Sequence, residues 1–383
     1  IGKLKEAEKI LVELISEIEF DVRDLRTANN IFADLGYIYH LLGNSVEAEK
    51  YINLQLDWSK TSSPKHYAFA CDKMGKVCID QGKVEIAKNY FLNNMEYYNS
   101  IDSPIDIING TRNLAEVDFR LGHIDDAHKG FKKAYDLSGK VNALHEQSLA
   151  LGNMGVINLI KGEFNRAVEI FKSVLDINIE IGDKITVSQS YGNLGIAYKE
   201  LKIFDKAMES YTNQLQICEH IGFKPGIALA NNNIGLVLYK QNHFERSLDY
   251  LLKALSINTN IGNISEIAKV YGNLGMISKD MGDFERAMVY YSKAREYFDE
   301  LGDERFSTVI LGELGSLLLT QNKFIEAKDY LASSIKKFKE INDFPNYAKY
   351  QLLLSELYCE TKDFDSALKY LNNTEELLSE MDG

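Results

Sequence analysis

Four asparagines recur at one fixed spacing. Asn153, Asn193, Asn233 and Asn273 stand 40 residues apart. Each side-chain amide offers two N–H donors and a carbonyl acceptor. A row of amides can hold the backbone of an extended peptide, or it can bridge neighbouring helices as a structural ladder. Asparagine competes with a helix for its backbone groups and is a poor helix-interior residue, so four at one register need a reason. The polar groups around the row vary from repeat to repeat: Gln189, Lys269 and Lys349 at one position, Lys199, Tyr239 and Lys279 at another. This basic, polar and aromatic mixture suits a ligand with acidic or apolar side chains. Each lysine equally suits a solvated helix face, where lysine is mostly found.

Other reactive residue types form no constellation. His123, Asp125, Asp126 and His128 crowd one short stretch, but histidines five apart do not share a helix face, and a solvated turn is expected there. Cys71, Cys78, Cys218 and Cys359 include no C-x-x-C pair. They read as small buried helix residues in a reducing compartment, hence a cytoplasmic protein. No phosphate-binding loop, nucleophile elbow or H-E-x-x-H sequence occurs, and the carboxylates are spread without convergence. Neither intrinsic catalysis, a metal nor a cofactor is expected.

The elements that would position the asparagines are marked by the same period. Small anchor residues occur at Gly36, Gly75, Ala115, Gly155, Gly195, Gly235, Gly275, Gly315 and Ser355, spaced by 39 once and by 40 thereafter. Twelve residues after each anchor stands a second small residue, from Ala48 and Ala87 to Ala367, and sixteen after it a large apolar one, including Phe91, Phe131, Phe171, Tyr211, Tyr291 and Leu371. The spacing predicts two helices per repeat that approach closely at the small residues, with the large ones filling the space to the next pair. Glycine inside a helix costs about 1 kcal/mol relative to alanine, so close packing must offset it. Gly43, Gly82, Gly122, Gly162, Lys202, Asn242, Gly282, Asn322 and Lys362 mark the turn between the two helices, mostly with residues that tolerate the left-handed conformation. Phe164, Phe204, Phe244, Phe284, Phe324 and Phe364 follow it; they are expected to be core aromatics, each worth about 3–5 kcal/mol against alanine. Gly182-Asp183, Gly262-Asn263, Gly302-Asp303 and Asn342-Asp343 read as a helix stop followed by a cap. Pro64, Pro104, Pro225 and Pro345 fall where a first helical turn is expected.

A period between about 20 and 50 residues is the mark of a stacked repeat protein. The 383 residues therefore read as one array: 1–21 the second helix of a truncated repeat, and 22–383 nine helix-pair repeats. The formal net charge of −13 argues against nucleic-acid binding and against an anionic membrane surface. No apolar run of 18 residues predicts a membrane span. The sequence opens at Ile1, without a signal peptide, and reads as a fragment. Leu377, Leu378 and Met381 at its other end are expected to be uncovered, so flanking segments, self-association or further repeats are expected to cap the ends.

Gly or Ala at the anchor, Ala twelve on and Phe, Tyr or Leu sixteen on resembles the tetratricopeptide repeat (TPR), over essentially the whole sequence. The usual unit has 34 residues; the 40-residue unit and runs such as Tyr191-Gly192-Asn193-Leu194-Gly195-Ile196-Ala197-Tyr198 look like the Pins/LGN and kinesin-light-chain subtype. The family's tryptophan position holds Leu151, Tyr191, Asn231, Tyr271 and Leu311 instead. The resemblance implies an all-α, right-handed superhelix (α-solenoid) of antiparallel helix pairs whose first helices line a concave groove. It places Asn153, Asn193, Asn233 and Asn273 in that groove. It further implies a non-catalytic scaffold that binds an extended peptide or partner segment, as the sensory arm of a larger regulator. A peptide receptor resembling bacterial quorum-sensing regulators, or the regulatory arm of an enzyme outside these residues, are the alternatives.

Overall fold

A computed structural model describes residues 2–17, 25–41 and 44–381. Gly43, residues 18–21 of the expected first helix, and the side chains of Leu377, Leu378 and Met381 lie outside what is described. The described residues are all α-helix joined by short turns, and they form two compact units, residues 1–202 and 203–383. In the first unit α1 (Gly2–Glu17) is followed by the pairs α2–α3 (Leu25–Leu41, Ser45–Ser62), α4–α5 (Pro64–Asp80, Val84–Ser100), α6–α7 (Pro104–Arg120, Ile124–Lys140) and α8–α9 (Leu144–Ile160, Phe164–Ile181), and then by α10 (Lys184–Glu200). The second unit opens with α11 (Phe204–Ile221). It continues with α12–α13 (Lys224–Lys240, Phe244–Ile261), α14–α15 (Ile264–Asp280, Phe284–Glu300), α16–α17 (Glu304–Thr320, Phe324–Glu340) and α18–α19 (Phe344–Glu360, Phe364–Met381).

Each pair is closed at its anchor. A Cβ built on Gly75 would stand 2.5 Å from the Phe91 ring, on Gly155 2.5 Å from Phe171, and on Gly275 2.6 Å from Tyr291. The large residue sixteen positions on therefore lies first across the anchor of its own pair. Only beyond that does it reach the next pair, as Phe91 does in a cluster that includes Val117. At Ala115 the methyl is already present, and the missing side chain is on the facing helix: a Cβ on Gly130 would stand 2.6 Å from that of Ala115. Either helix can supply the gap, provided one of them does.

The turns follow backbone chemistry. Gly82, Gly122, Gly162 and Gly282 have positive φ, and so do Asn242, Asn322, Lys202 and Lys362 at the same position. Lysine carries a Cβ that crowds this conformation. Lys362→Gly is expected to stabilise the second unit by about 0.5–1 kcal/mol, read as a higher urea midpoint at unchanged slope. At the connections between pairs, Asp183, Asn263, Asp303 and Asp343 accept hydrogen bonds from the N–H groups of Ile185, Glu266, Phe306 and Asn346. All four prolines sit in the first turn of a helix.

The phenylalanines after the inner turns lie at the edge of the core and not in its interior. Each begins the second helix of its pair or, for Phe204, begins α11; Phe164 to Phe324 are half-buried, and Phe364 is 61% exposed. Phe244, Phe284 and Phe324 pack against the buried clusters from their edge and stay partly exposed, so truncation there costs less than the spacing suggests. Cys71, Cys78 and Cys218 are buried as expected, while Cys359 is exposed at the end of α18. Burial pushes the Cys71 thiol up to about 12, so it is an inert packing group.

Candidate functional site

Within each unit successive first helices touch one another, α2 with α4, α6 with α8, and α12, α14, α16 and α18 in sequence; among the described residues no two second helices approach comparably. The first helices therefore crowd the inner side of each stack, and the asparagine register lies on them. How closely they meet is set by two residues: the one three before each anchor, and the one five before the next anchor. Gly272 receives Ile310, with 3.3 Å from a built Cβ to Ile310 Cδ1, and Gly312 receives the Tyr350 ring. For Gly152 the residue at the matching position one repeat on is the small Ser190, and a Cβ built on Gly152 meets nothing within 4 Å. Ser190 is itself turned away, bonded to Asn178 and Thr186.

The open space at Gly152 explains the state of the amides beside it. Asn273 Nδ2 donates to Asn232 Oδ1 across one repeat (2.9 Å), and Asn113 Nδ2 likewise donates to Asp72 Oδ1 (2.9 Å). The residue in that position for Asn193 is Gly152, which has no side chain. Asn153 and Asn193 are half-exposed and make no side-chain hydrogen bond among the described residues, and Asn233 is nearly buried without one. The register thus divides into bridging amides, Asn113 and Asn273, and amides left with donors and acceptors to offer.

The lysines and tyrosine named from the sequence are mostly committed within the protein. Lys199 lies 3.2 Å from Glu200, and Lys269 2.7 Å from Glu266. Tyr239 donates to Asp280 Oδ2 (2.5 Å); burial and that carboxylate push its hydroxyl up to about 12. Lys279 and Lys349 both grip Glu313, at 3.2 and 2.6 Å, and the Tyr350 hydroxyl adds a third donor at 3.2 Å. Glu313 occupies the asparagine register one repeat after Asn273. Burial alone would raise its carboxyl, but the two lysines outweigh burial and hold it below the usual glutamate value. Gln189, Lys269 and Lys349 are exposed, and of these three only Gln189 has no partner among the described residues.

A second feature was not singled out in the sequence. A pocket of about 260 Å³ opens between α4, α6 and α8, with Asn94 and Tyr98 of α5 at its back. Asp72 and Arg112 stand there in the register that is glycine at Gly152, Gly272 and Gly312, and this exchange of glycine for charge was the available signal. Lys76 and Asn113 both hold Asp72, at 2.6 and 2.9 Å. Nearby, Lys73 lies 4.4 Å over the Tyr37 ring and 3.9 Å from Asp34, packed and paired.

The histidine and aspartate stretch is dispersed into separate contacts. Asp125 meets Lys161 (2.6 Å), Asp126 meets Lys129 (2.8 Å), and His123 lies 3.9 Å from Asp118. Hydrogen bonds from Lys161 and Lys129 hold both carboxyls low. Among the described residues no three His, Cys, Asp or Glu side chains are disposed to hold a metal ion, and no helix is long and apolar enough to cross a membrane.

Residues 186–260 and 268–297 match family models of the tetratricopeptide repeat. The chain therefore carries tetratricopeptide repeats at these residues, within a fold of helix pairs like that of other tetratricopeptide-repeat proteins. Solved structures similar to it include a Rap protein complexed with Competence and Sporulation Factor, at TM-score 0.61 and 12% identity, with 94% of both proteins covered. The apo form of the quorum sensor NprR from B. thuringiensis matches at TM-score 0.55 and 16% identity, with 98% of both covered. A signal-transduction ATPase with numerous domains and a TPR sensor, from Pyrococcus horikoshii, matches at TM-score 0.59 and 16% identity; 99% of this protein and 66% of that one are covered. Likeness at these identities is likeness of fold. Among curated proteins none matches the sequence.

Proposed function

We propose that this protein is a non-catalytic binding module that holds an extended peptide, free or part of a protein partner, along its first helices. The observation that carries this reading is the pair of amides without a side-chain hydrogen bond among the described residues, Asn153 beside Gly152 on α8 and Asn193 at the same register of α10, together with the open space at Gly152. A glycine lets a foreign backbone approach closely, and an amide meets both the N–H and the C=O of an extended peptide. The exposed Gln189 and the charge-paired Lys199 share helix α10 with Asn193; in the second unit Asn233, Tyr239, Lys269 and Lys279 hold the corresponding positions, the last three hydrogen-bonded or charge-paired. The Rap complex and NprR favour a short free peptide as the ligand, and the signal-transduction ATPase favours service as a sensory arm. The single array over 1–383 and the Pins/LGN and kinesin-light-chain likeness rest on the 40-residue period, which runs through residue 202 without a break. The buried thiols fit a cytoplasmic setting.

The test is selection of a random pentapeptide library on the intact protein and on the Asn153→Ala/Asn193→Ala variant, read by mass spectrometry. Neither amide makes a side-chain hydrogen bond among the described residues, so the variant should keep its stability to within about 0.5 kcal/mol. Two lost neutral hydrogen bonds should weaken the retained peptides about ten- to a hundredfold. Equal retention by both overturns the assignment.

A further inference from the structure

Glu313 is held by more positive charge than it needs. Lys279 of α14 donates to its Oε2 at 3.2 Å, and Lys349 and Tyr350 of α18 donate to its Oε1 at 2.6 and 3.2 Å. One carboxylate therefore faces two ammonium groups, and the two are unequal. Lys279 is mostly buried and also donates to Ser316 Oγ at 3.3 Å, so it is committed between α14 and α16. Lys349 is half exposed, and a long side chain of this kind can carry its charge out into water. The Tyr350 hydroxyl has a second acceptor in the Val309 carbonyl, at 3.1 Å. Each group that α18 gives to Glu313 thus has somewhere else to go.

The preceding pair holds a further donor that is idle. Tyr291 of α15 is fully buried, and its hydroxyl makes no hydrogen bond among the described residues. It stands close enough to Glu313 and Asp280 to feel both charges. Asp280 already accepts from Tyr239 at 2.5 Å. Glu313 has three donors, and a carboxylate accepts about four hydrogen bonds. Burial and the Glu313 charge push the Tyr291 hydroxyl up, so it stays protonated and able to donate. A buried hydroxyl without a bond is costly, and the cost is relieved when the neighbouring carboxylate turns to it.

We propose that Glu313 is the moving part of a two-position lock between α18 and the pair before it. In the position of this structure, Lys349 and Tyr350 tie Glu313 to α18. In the other position Lys349 turns out into water, and Glu313 keeps Lys279 and turns to the Tyr291 hydroxyl. Then α16 stays fastened to α14 and α15, the buried carboxylate still has one cation, and α18 is released together with α19. The trigger is whatever draws off or neutralises the Lys349 ammonium at its exposed side. By contrast, α12 and α14 are joined by neutral donors, Tyr239 to Asp280 and Asn273 to Asn232, which loss of a cation does not undo. The proposal is independent of what the first helices bind.

Native-state hydrogen exchange is read helix by helix in the intact protein, in Lys349→Met, in Tyr291→Phe and in the two combined, with Lys349→Arg as the variant that keeps the charge. Lys349→Met should lower the protection of α18 and α19 roughly tenfold or more, while α14 and α16 keep theirs. Lys349→Arg should preserve all four. Tyr291→Phe alone should change the protection of α14 and α16 by less than about twofold, because the hydroxyl has no bond to lose. On the Lys349→Met background the same change should lower that protection roughly fivefold or more. The Tyr291 ¹³Cζ resonance should move in Lys349→Met and stay in Lys349→Arg. The proposal is overturned if Tyr291→Phe acts equally on both backgrounds, or if Lys349→Met loosens α14 and α16 as much as α18. It is also overturned if Lys349→Arg behaves as Lys349→Met does, or if the Tyr291 resonance does not move.

Discussion

Replacing Glu313 with alanine is expected to destabilise the second unit by about 3 kcal/mol or more, because it strips the counter-charge from two lysines at once. The side chains of Glu313 and Lys279 are 17% and 16% exposed, so neither ion has much water to fall back on. Lys349, half exposed, can turn outward, which limits the cost on that side. The Tyr350 hydroxyl, which also donates to the Val309 carbonyl at 3.1 Å, loses one of its two acceptors. Glu313→Gln keeps the shape and an acceptor and should cost less than alanine. The carboxyl is depressed in the folded state, so its contribution is fully present above the ordinary glutamate value of about 4.3 and is lost as pH falls through the lower folded value. Urea unfolding with hydrogen exchange of α14, α16 and α18 measures both effects. A change under about 1 kcal/mol would mean that the three charges behave as exposed ones.

The anchor contacts predict a second large effect, with a sign reversal inside it. Phe171 is fully buried, with its ring across Gly155. Phe171→Ala should cost about 3–5 kcal/mol. Gly155→Ala alone should cost about 1–3 kcal/mol, because the new methyl meets the ring at 2.5 Å. Combined, the second change should become neutral or favourable: the ring is gone and alanine is worth about 1 kcal/mol over glycine within a helix. The double-mutant cycle, followed by denaturant unfolding, should return a coupling above about 1 kcal/mol. Additivity would show that glycine is not there to admit the ring. Ala115 with Gly130 already displays the exchange between helices within this protein.

The architecture is legible in the sequence because it is written many times over. Anchors, turns, caps and prolines each repeat, so an error at one repeat is corrected by the others. Register alone places Lys202 and Lys362 in left-handed turns, although lysine by itself says nothing of the kind. The phenylalanines after the turns mislead for the same reason: a repeated aromatic suggests core, while its depth depends on the neighbouring pair, and Phe364 is exposed. The site is harder to read because it lies in departures from the repeat. Which asparagine bridges and which is free depends on the side chain one repeat away, Asn232 for Asn273 and Gly152 for Asn193. Lys279 and Lys349 look available in the sequence, where nothing shows Glu313 standing between them. Arg112 gives only one sign, its place in a register otherwise rich in glycine.

Two residues per step decide whether adjacent inner helices close or stand open, and neither belongs to the anchors or the turns. Ligand chemistry and structural integrity are therefore written in different letters of the same module. Duplication or exchange of whole modules by recombination could carry a recognition cavity from one place in the stack to another as a cassette, leaving the interchangeable framework intact. A lineage of such proteins can change what it recognises faster than it changes how it folds.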